Sequence, residues 1–334
     1  MAKYRRSIVI GLIVLLAVGV GEFWLYAAHR LGDYVHQPIL GTASLADLCE
    51  TSEIGGFPFR LKLSCHNLTA PLRAGDSLYY AGVEDAQGVA SLFSPNHIVL
   101  TFSSPMVIQA ARGAPVGKLR HDGMSLDIGW GLAGVARARL ETKALDWRPE
   151  AAGAGVAVNV QKLAVSIAPQ SIPEGAALHF ELAGEGVTVP ALQSLLQNND
   201  PGRLRLAGAM TPPPASGEDW RAAAEDWRAK SGVLAIQRLE WQAGDLSLRL
   251  DGALSLDEAH RPAGRLNFVA QGAGALLARL GLPASAAQAG NVLGALLGKP
   301  SSQTDDNLNL PLNLSGGRIF IGPFKLPVAL NPLY

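Results

Sequence analysis

Cys49 and Cys65 are the only thiols in the 334-residue chain, with fifteen residues between them. The spacing is not C-x-x-C, so thioredoxin-like redox chemistry has no support. Spacing alone leaves two readings open: a structural disulfide, or two buried reduced thiols. The seven histidines stand at 29, 36, 66, 97, 121, 179 and 260. No two share the i, i+3 or i, i+4 spacing that sets imidazoles on one helix face for a metal, and H-E-x-x-H is absent. No G-x-S-x-G elbow offers a nucleophilic serine. Gly113 to Lys118 and Gly294 to Lys299 imitate phosphate loops, but the glycine spacing is wrong and no Ser or Thr follows the lysine. Gly153-Ala154-Gly155 lacks the third glycine of a dinucleotide turn.

Weaker polar features carry less. His121-Asp122, followed by Gly123, reads as a turn beside a strand, and His66-Asn67 as a strand-end turn. Trp220 and Trp227 stand at helical spacing, which reads as packing more readily than as a ligand platform. No catalytic residue, metal ligand or cofactor site is assigned, and the chain is expected to be non-enzymatic.

Bulk composition narrows the classes. Lys+Arg and Asp+Glu are 28 each, so no net positive field draws the chain to phosphates and nucleic acid is not an expected partner. Charged residues are 17% and hydrophobic ones 48%, which excludes intrinsic disorder. Two cysteines exclude a zinc ribbon and a disulfide-dense scaffold.

The positioning elements begin with an apolar run. Lys3, Arg5 and Arg6 precede it, and the 18 residues from Ile8 to Leu25 make about 27 Å of helix, close to a ~30 Å hydrocarbon core. Glu22 lies near the outer end, and Trp24 and Tyr26 suit an aromatic belt. The basic flank predicts that residues 1–7 stay cytoplasmic, that 8–26 form an uncleaved signal anchor, and that the remainder is exported. Cleavage is the competing reading. Its small-residue site is poor, because cutting after Ala27 or Ala28 leaves Leu25 or Tyr26 at the third position upstream. Export implies an oxidising space, which favours a Cys49–Cys65 disulfide.

Beyond the anchor the dominant signal is period-2 alternation. Thr42 to Glu53 reads as a short helix ended by Gly55-Gly56. Phe57, Phe59, Leu61, Leu63 and Cys65 then alternate with polar residues as a first strand, whose wet side carries Arg60 and Lys62. That basic strip would meet lipid head groups, or is simply a solvated face. Alternating runs recur at 97–102, 106–110, 124–128, 156–160, 163–167, 178–182, 204–206, 234–236, 246–256, 266–268 and 308–321. Asp251-Gly252 inside one of them reads as a hairpin turn. Such alternation predicts antiparallel sheets with one buried and one wet face. Helices are few: 190–197, the amphipathic 218–230 after Pro212-Pro213-Pro214, and one or two near 273–298. The expected fold is mainly β (α+β), a long curved antiparallel sheet or sheets behind the membrane helix. A first β-rich half covers 27–211, a Pro-rich linker with its helix 212–230, and a second β-rich half 231–334.

Gly55-Gly56-Phe57-Pro58-Phe59-Arg60, with Cys65 following, resembles the signature of an uncharacterised bacterial family, domain of unknown function twenty-one twenty-five. The stretches 97–105 (HIVLTFSSP), 247–264 with 265–280, and 308–332 resemble it too. The resemblance implies a membrane-anchored periplasmic protein, and supplies no activity. The β repeats are further similar in architecture to the AsmA-like group, implicated in outer-membrane lipid homeostasis; fold alone does not fix function. The resulting expectation is a protein held in the bacterial inner membrane, with the bulk of the chain periplasmic and an apolar sheet groove that takes lipid. Leu246, Leu248, Leu250, Leu308, Leu310 and Leu312 are the groove candidates, and each serves equally well as ordinary core. An envelope scaffold without a lipid ligand is the alternative.

Overall fold

The structure, a computed structural model, describes residues 2–40, 43–74, 77–132, 134–150, 155–173, 175–196, 199–214, 220–272, 308–321 and 324–334. For residues 2–14, 16, 17, 34, 38–40, 43, 73, 74, 192, 195, 196, 308–310, 321, 324 and 326–328 it describes the backbone only. The chain divides into two compact units, Met1–Ala138 with Glu150–Ala154, and Arg139–Pro149 with Gly155–Tyr334.

The first unit opens with helix α1 (Ala2–Val35), the short strands β1 (Pro38–Leu40) and β2 (Ala43–Ser44), and the single-turn α2 (Leu45–Leu48). Its sheet comprises β3 (Thr51–Gly55), β4 (Arg60–Ala74), β5 (Ser77–Ser91), β6 (Ser94–Phe102), β7 (Met106–Ala110) and β8 (Pro115–Gly131). The order is β3-β4-β5-β6-β8, and β7 also lies between β5 and β8. Strands β6 and β7 share one slot: Ala86–Ser91 of β5 pairs with β6, and Tyr79–Gly82 with β7. Ser103-Ser104-Pro105 divides the slot, at a residue that cannot donate to a ladder. The core here is Cys49, Cys65, Val83 and Ala86, with Leu45, Leu68, Phe102 and Met106 against it.

The second unit is a meander. Strands β9 (Gly134–Pro149, of which Arg139–Pro149 fall here), β10 (Val158–Ile172), β11 (Gly175–Val187), β12 (Gly202–Thr211), β13 (Val233–Ala243), β14 (Leu246–Leu256), β15 (Pro262–Gln271), β16 (Leu308–Ser315), β17 (Arg318–Ile321) and β18 (Phe324–Ala329) each lie beside their sequence neighbours. Helix α3 (Pro190–Leu196) precedes β12, and α4 (Trp220–Ala229) follows it. The ladders from β10 to β18 are antiparallel, as alternation predicts.

Five local expectations are corrected. The helix expected over 42–53 shrinks to Leu45–Leu48, because Ser44 and Asp47 close a capping box and Cys49 is already extended; Thr51–Gly55 is strand. The first long strand starts at Arg60, since Gly56 turns the chain with φ +98° and leaves Phe57 and Phe59 exposed. Asp251-Gly252 is no hairpin turn: β14 runs through it, with Gly252 opposite Ile236 and Leu266. There a Cβ would stand 2.3 Å from the Arg265 carbonyl oxygen, so glycine is required by close backbone approach within the sheet. His121-Asp122-Gly123 likewise lies inside β8. The alternating runs at 156–160 and 163–167 merge from Val158 into the single strand β10. The helices expected near 273–298 and the start of the one at 218–230 lie outside the described residues.

Among the described residues no helix is long and apolar enough to cross a membrane. Within the expected span, the side chains of residues 8–14, 16 and 17 lie outside the described residues.

Candidate functional site

Cys49 and Cys65 form a disulfide with a Cα–Cα distance of 5.5 Å, fastening the end of α2 to β4. Both are buried. The glycine-aromatic signature sits nearby, at the β3–β4 turn. Gly56 is fixed there, because a Cβ at its φ of +98° would stand 2.7 Å from the Arg60 carbonyl oxygen. Phe57 and Phe59 do not enter a core; they are 62% and 51% exposed. The β5–β6 turn brings Phe93, 78% exposed, to stack on Phe59 with ring centres 5.7 Å apart. Leu92 N–H donates to the Phe59 carbonyl at 3.0 Å, tying the two turns into one aromatic tip.

Helix α1 leans on this tip. Trp24 meets Phe57 edge-on at 5.4 Å, and its indole N–H donates to the Arg60 carbonyl at 2.7 Å. Leu15, Val20 and Phe23 of α1 face Phe59, Leu92 and Phe93 across an apolar cleft of about 370 Å³. Sequence alternation misassigned Phe57 and Phe59 as inward, and gave no signal for Phe93.

The second unit presents the larger surface. Directly opposed residues of antiparallel strands share a face. One row reads Val165, Leu182, Leu206, Leu239, Leu250, Phe268 and Leu310 across seven strands. The adjacent row reads Leu163, Gly184, Leu204, Trp241, Leu248, Ala270 and Leu308. On the other side Ile167, Phe180, Gly208, Ile236, Gly252, Leu266 and Leu312 follow. The opposite face carries Arg203, Arg205, Arg238, Glu240, Arg249 and Arg265 instead.

The six leucines singled out from sequence therefore stand on β14 and β16, which flank β15. Leu246 is buried, and Leu248, Leu250 and Leu312 are half-buried. The side chains of Leu308 and Leu310 lie outside the described residues. Among the described residues no large side chain is fully buried. Trp241 Nε1 is shielded from water and has no hydrogen-bond partner among the described residues.

Polar pairs are scattered. His66 Nδ1 stands 2.5 Å from Asp85, and His97 Nε2 stands 2.7 Å from Asp127, with Arg137 3.7 Å from the same carboxylate. Both imidazoles are paired with a carboxylate on a neighbouring strand. Among the described residues no group of three His, Cys, Asp or Glu converges on a metal position. His121 is different, being 8% exposed with neither ring nitrogen hydrogen-bonded among the described residues. Burial pushes its pKa below the ordinary imidazole value, and the Ser103 backbone and Asp122 pull it back only in part.

At the end of α4, Glu225 accepts from Arg228 and Tyr334 and lies 3.2 Å from His260. These partners, Arg228 first, hold the Glu225 carboxyl down at about 2. Trp227 of α4 is buried, as its position on the amphipathic face predicts, while Trp220 packs edge-on against Tyr334 at 5.8 Å.

Together these features define a mainly β protein: a disulfide-stapled sheet with an aromatic tip beside a helix, and a meander that is apolar on one face. A family model described as an uncharacterized protein conserved in bacteria (DUF2125) matches residues 24–329, and the chain belongs to that family. No curated protein and no solved structure matches the chain.

Proposed function

We propose that this is a non-enzymatic envelope protein, anchored in the bacterial inner membrane by α1, that holds lipid acyl chains on the apolar face of its second unit. One observation carries the reading. Seven strands in register align apolar rows on a single face, yet among the described residues no large side chain is fully buried. A sheet face of this kind is ordinarily closed by a second layer. Left half-covered, it has the chemistry to hold hydrocarbon, at roughly 25 cal/mol for each Å² removed from water.

The anchor reading rests on the apolar run from Ile8 to Leu25 and its basic flank. The non-enzymatic reading rests on the sequence, which carries neither a G-x-S-x-G elbow nor an H-E-x-x-H pair.

Adjacent residues of β14 point to opposite faces, which makes the reading testable. A photoreactive benzoylphenylalanine replaces Leu250 in one sample and Arg249 in another, each in the full chain within native membranes. Lipid adducts at Leu250 and not at Arg249 are the expected result. Equal yields at both positions, or none at Leu250, overturn lipid binding; a protein adduct at Leu250 would then favour an envelope scaffold.

A further inference from the structure

The aromatic tip of the first unit faces solvent with three phenylalanines, an arrangement that costs free energy in water and calls for an occupant. Its neighbour identifies one. The cleft partners of Phe59 and Phe93 on α1 run from Leu15 to Phe23, about 12 Å of helix axis. These residues reach from the middle of the apolar run Ile8 to Leu25 toward its outer end, and half a hydrocarbon core is about 15 Å deep. Phe59, Leu92 and Phe93 therefore lie level with residues that would be inside the bilayer.

Backbone chemistry agrees. A turn immersed in hydrocarbon must satisfy its own polar groups. Here Arg60 N–H donates to the Gly56 carbonyl at 3.0 Å and Leu92 N–H to the Phe59 carbonyl at 3.0 Å. Phe93 N–H donates to Ser91 Oγ at 3.2 Å, and the Arg60 carbonyl accepts from Trp24. Arg60 and Lys62 follow on β4, each exposed or half-exposed, where long cationic side chains reach back to phosphates.

We infer that the Phe57–Phe59–Phe93 tip is inserted in the outer leaflet of the bilayer that α1 crosses, so that the first β unit is seated on the membrane at a second point. The inference rests on α1 being an anchor. It sets the first unit's orientation: the β3–β4 and β5–β6 turns point into lipid, and the opposite ends of those strands point away.

Nitroxide labels on the full chain in lipid nanodiscs test it, with the native disulfide left oxidised. Labels go to Phe93→Cys, to Val18→Cys on α1, and to Arg112→Cys in the exposed β7–β8 turn at the opposite end of the sheet. The expected result is a ratio of oxygen to water-soluble nickel-chelate accessibility at Phe93 that matches Val18 and exceeds Arg112. A lipid-like ratio at Val18 with a water-like ratio at Phe93 overturns the tip insertion and leaves the anchor standing. A water-like ratio at Val18 overturns the anchor, and the inference with it. Protection of Phe93 from both relaxants means protein covers the tip, and also overturns the inference.

Discussion

The phenol of Tyr334 donates a 2.9 Å hydrogen bond to Glu225, 109 residues earlier in the chain. The Tyr334 ring also lies 4.4 Å from that of His260, so the last described segment is fastened to α4 and to the β14–β15 turn together.

Because Glu225 titrates at about 2 in the fold against an ordinary 4.5, the unfolded chain takes up the proton first on acidification. Its stabilisation is complete above about pH 4.5 and is lost as pH falls toward 2. Glu225→Gln is expected to lower the melting temperature at neutral pH, with a difference from the native chain that shrinks across that acid window. A difference that stays constant with pH would show that charge is not what Glu225 contributes.

His121 works in the opposite sense. Its neutral form is favoured by burial, so acidification below the ordinary value of 6.5 charges the unfolded chain before the folded one. Stability is expected to fall as pH drops below that value, and urea midpoints should show a shallower pH dependence in His121→Phe than in the native chain. Identical slopes would remove His121 from the account.

Reduction of Cys49–Cys65 is expected to cost about 3 kcal/mol for a loop of this length. Chemical denaturation of Cys65→Ala against the oxidised chain measures it. Thiols that alkylate without reductant in protein taken from its native cells would mean the bond does not form there.

Gly252→Ala places a Cβ against a neighbouring strand's carbonyl and is expected to cost about 3 kcal/mol, from overlap and from an unfavourable φ. Gly113→Ala has a positive φ but open space, and is expected to cost about 1 kcal/mol. Equal losses in thermal unfolding would show that strand approach is not what fixes Gly252.

Alternation made the antiparallel strands legible, because each strand of the second unit has a wet and an apolar side. Leu204 and Leu206 could be placed from their own neighbours alone. The failures share a cause. Asp251-Gly252 and Asp122-Gly123 carry turn chemistry, and only the flanking strands decide that the chain continues straight. Phe57 and Phe59 keep the right period for a strand, yet the positive φ of Gly56 converts that stretch to a turn and reverses which side faces water. The disulfide followed from compartment and count. Pairings such as Phe59 with Phe93 and Tyr334 with Glu225 depend on which turns share an end of a sheet, a relation that periodicity does not encode.

The meander of the second unit has a consequence for how that unit is made. From β10 to β15 every strand pairs with the strand before it, and Ile172–Gly175 and Ala243–Leu246 are joined by short turns. Local pairing of this kind keeps loop-closure entropy small and favours rapid folding. A chain made in sequence order finds each new strand's partner already delivered. The sheet can then grow by one hairpin at a time, and its apolar face need not wait in the open for a distant segment to arrive.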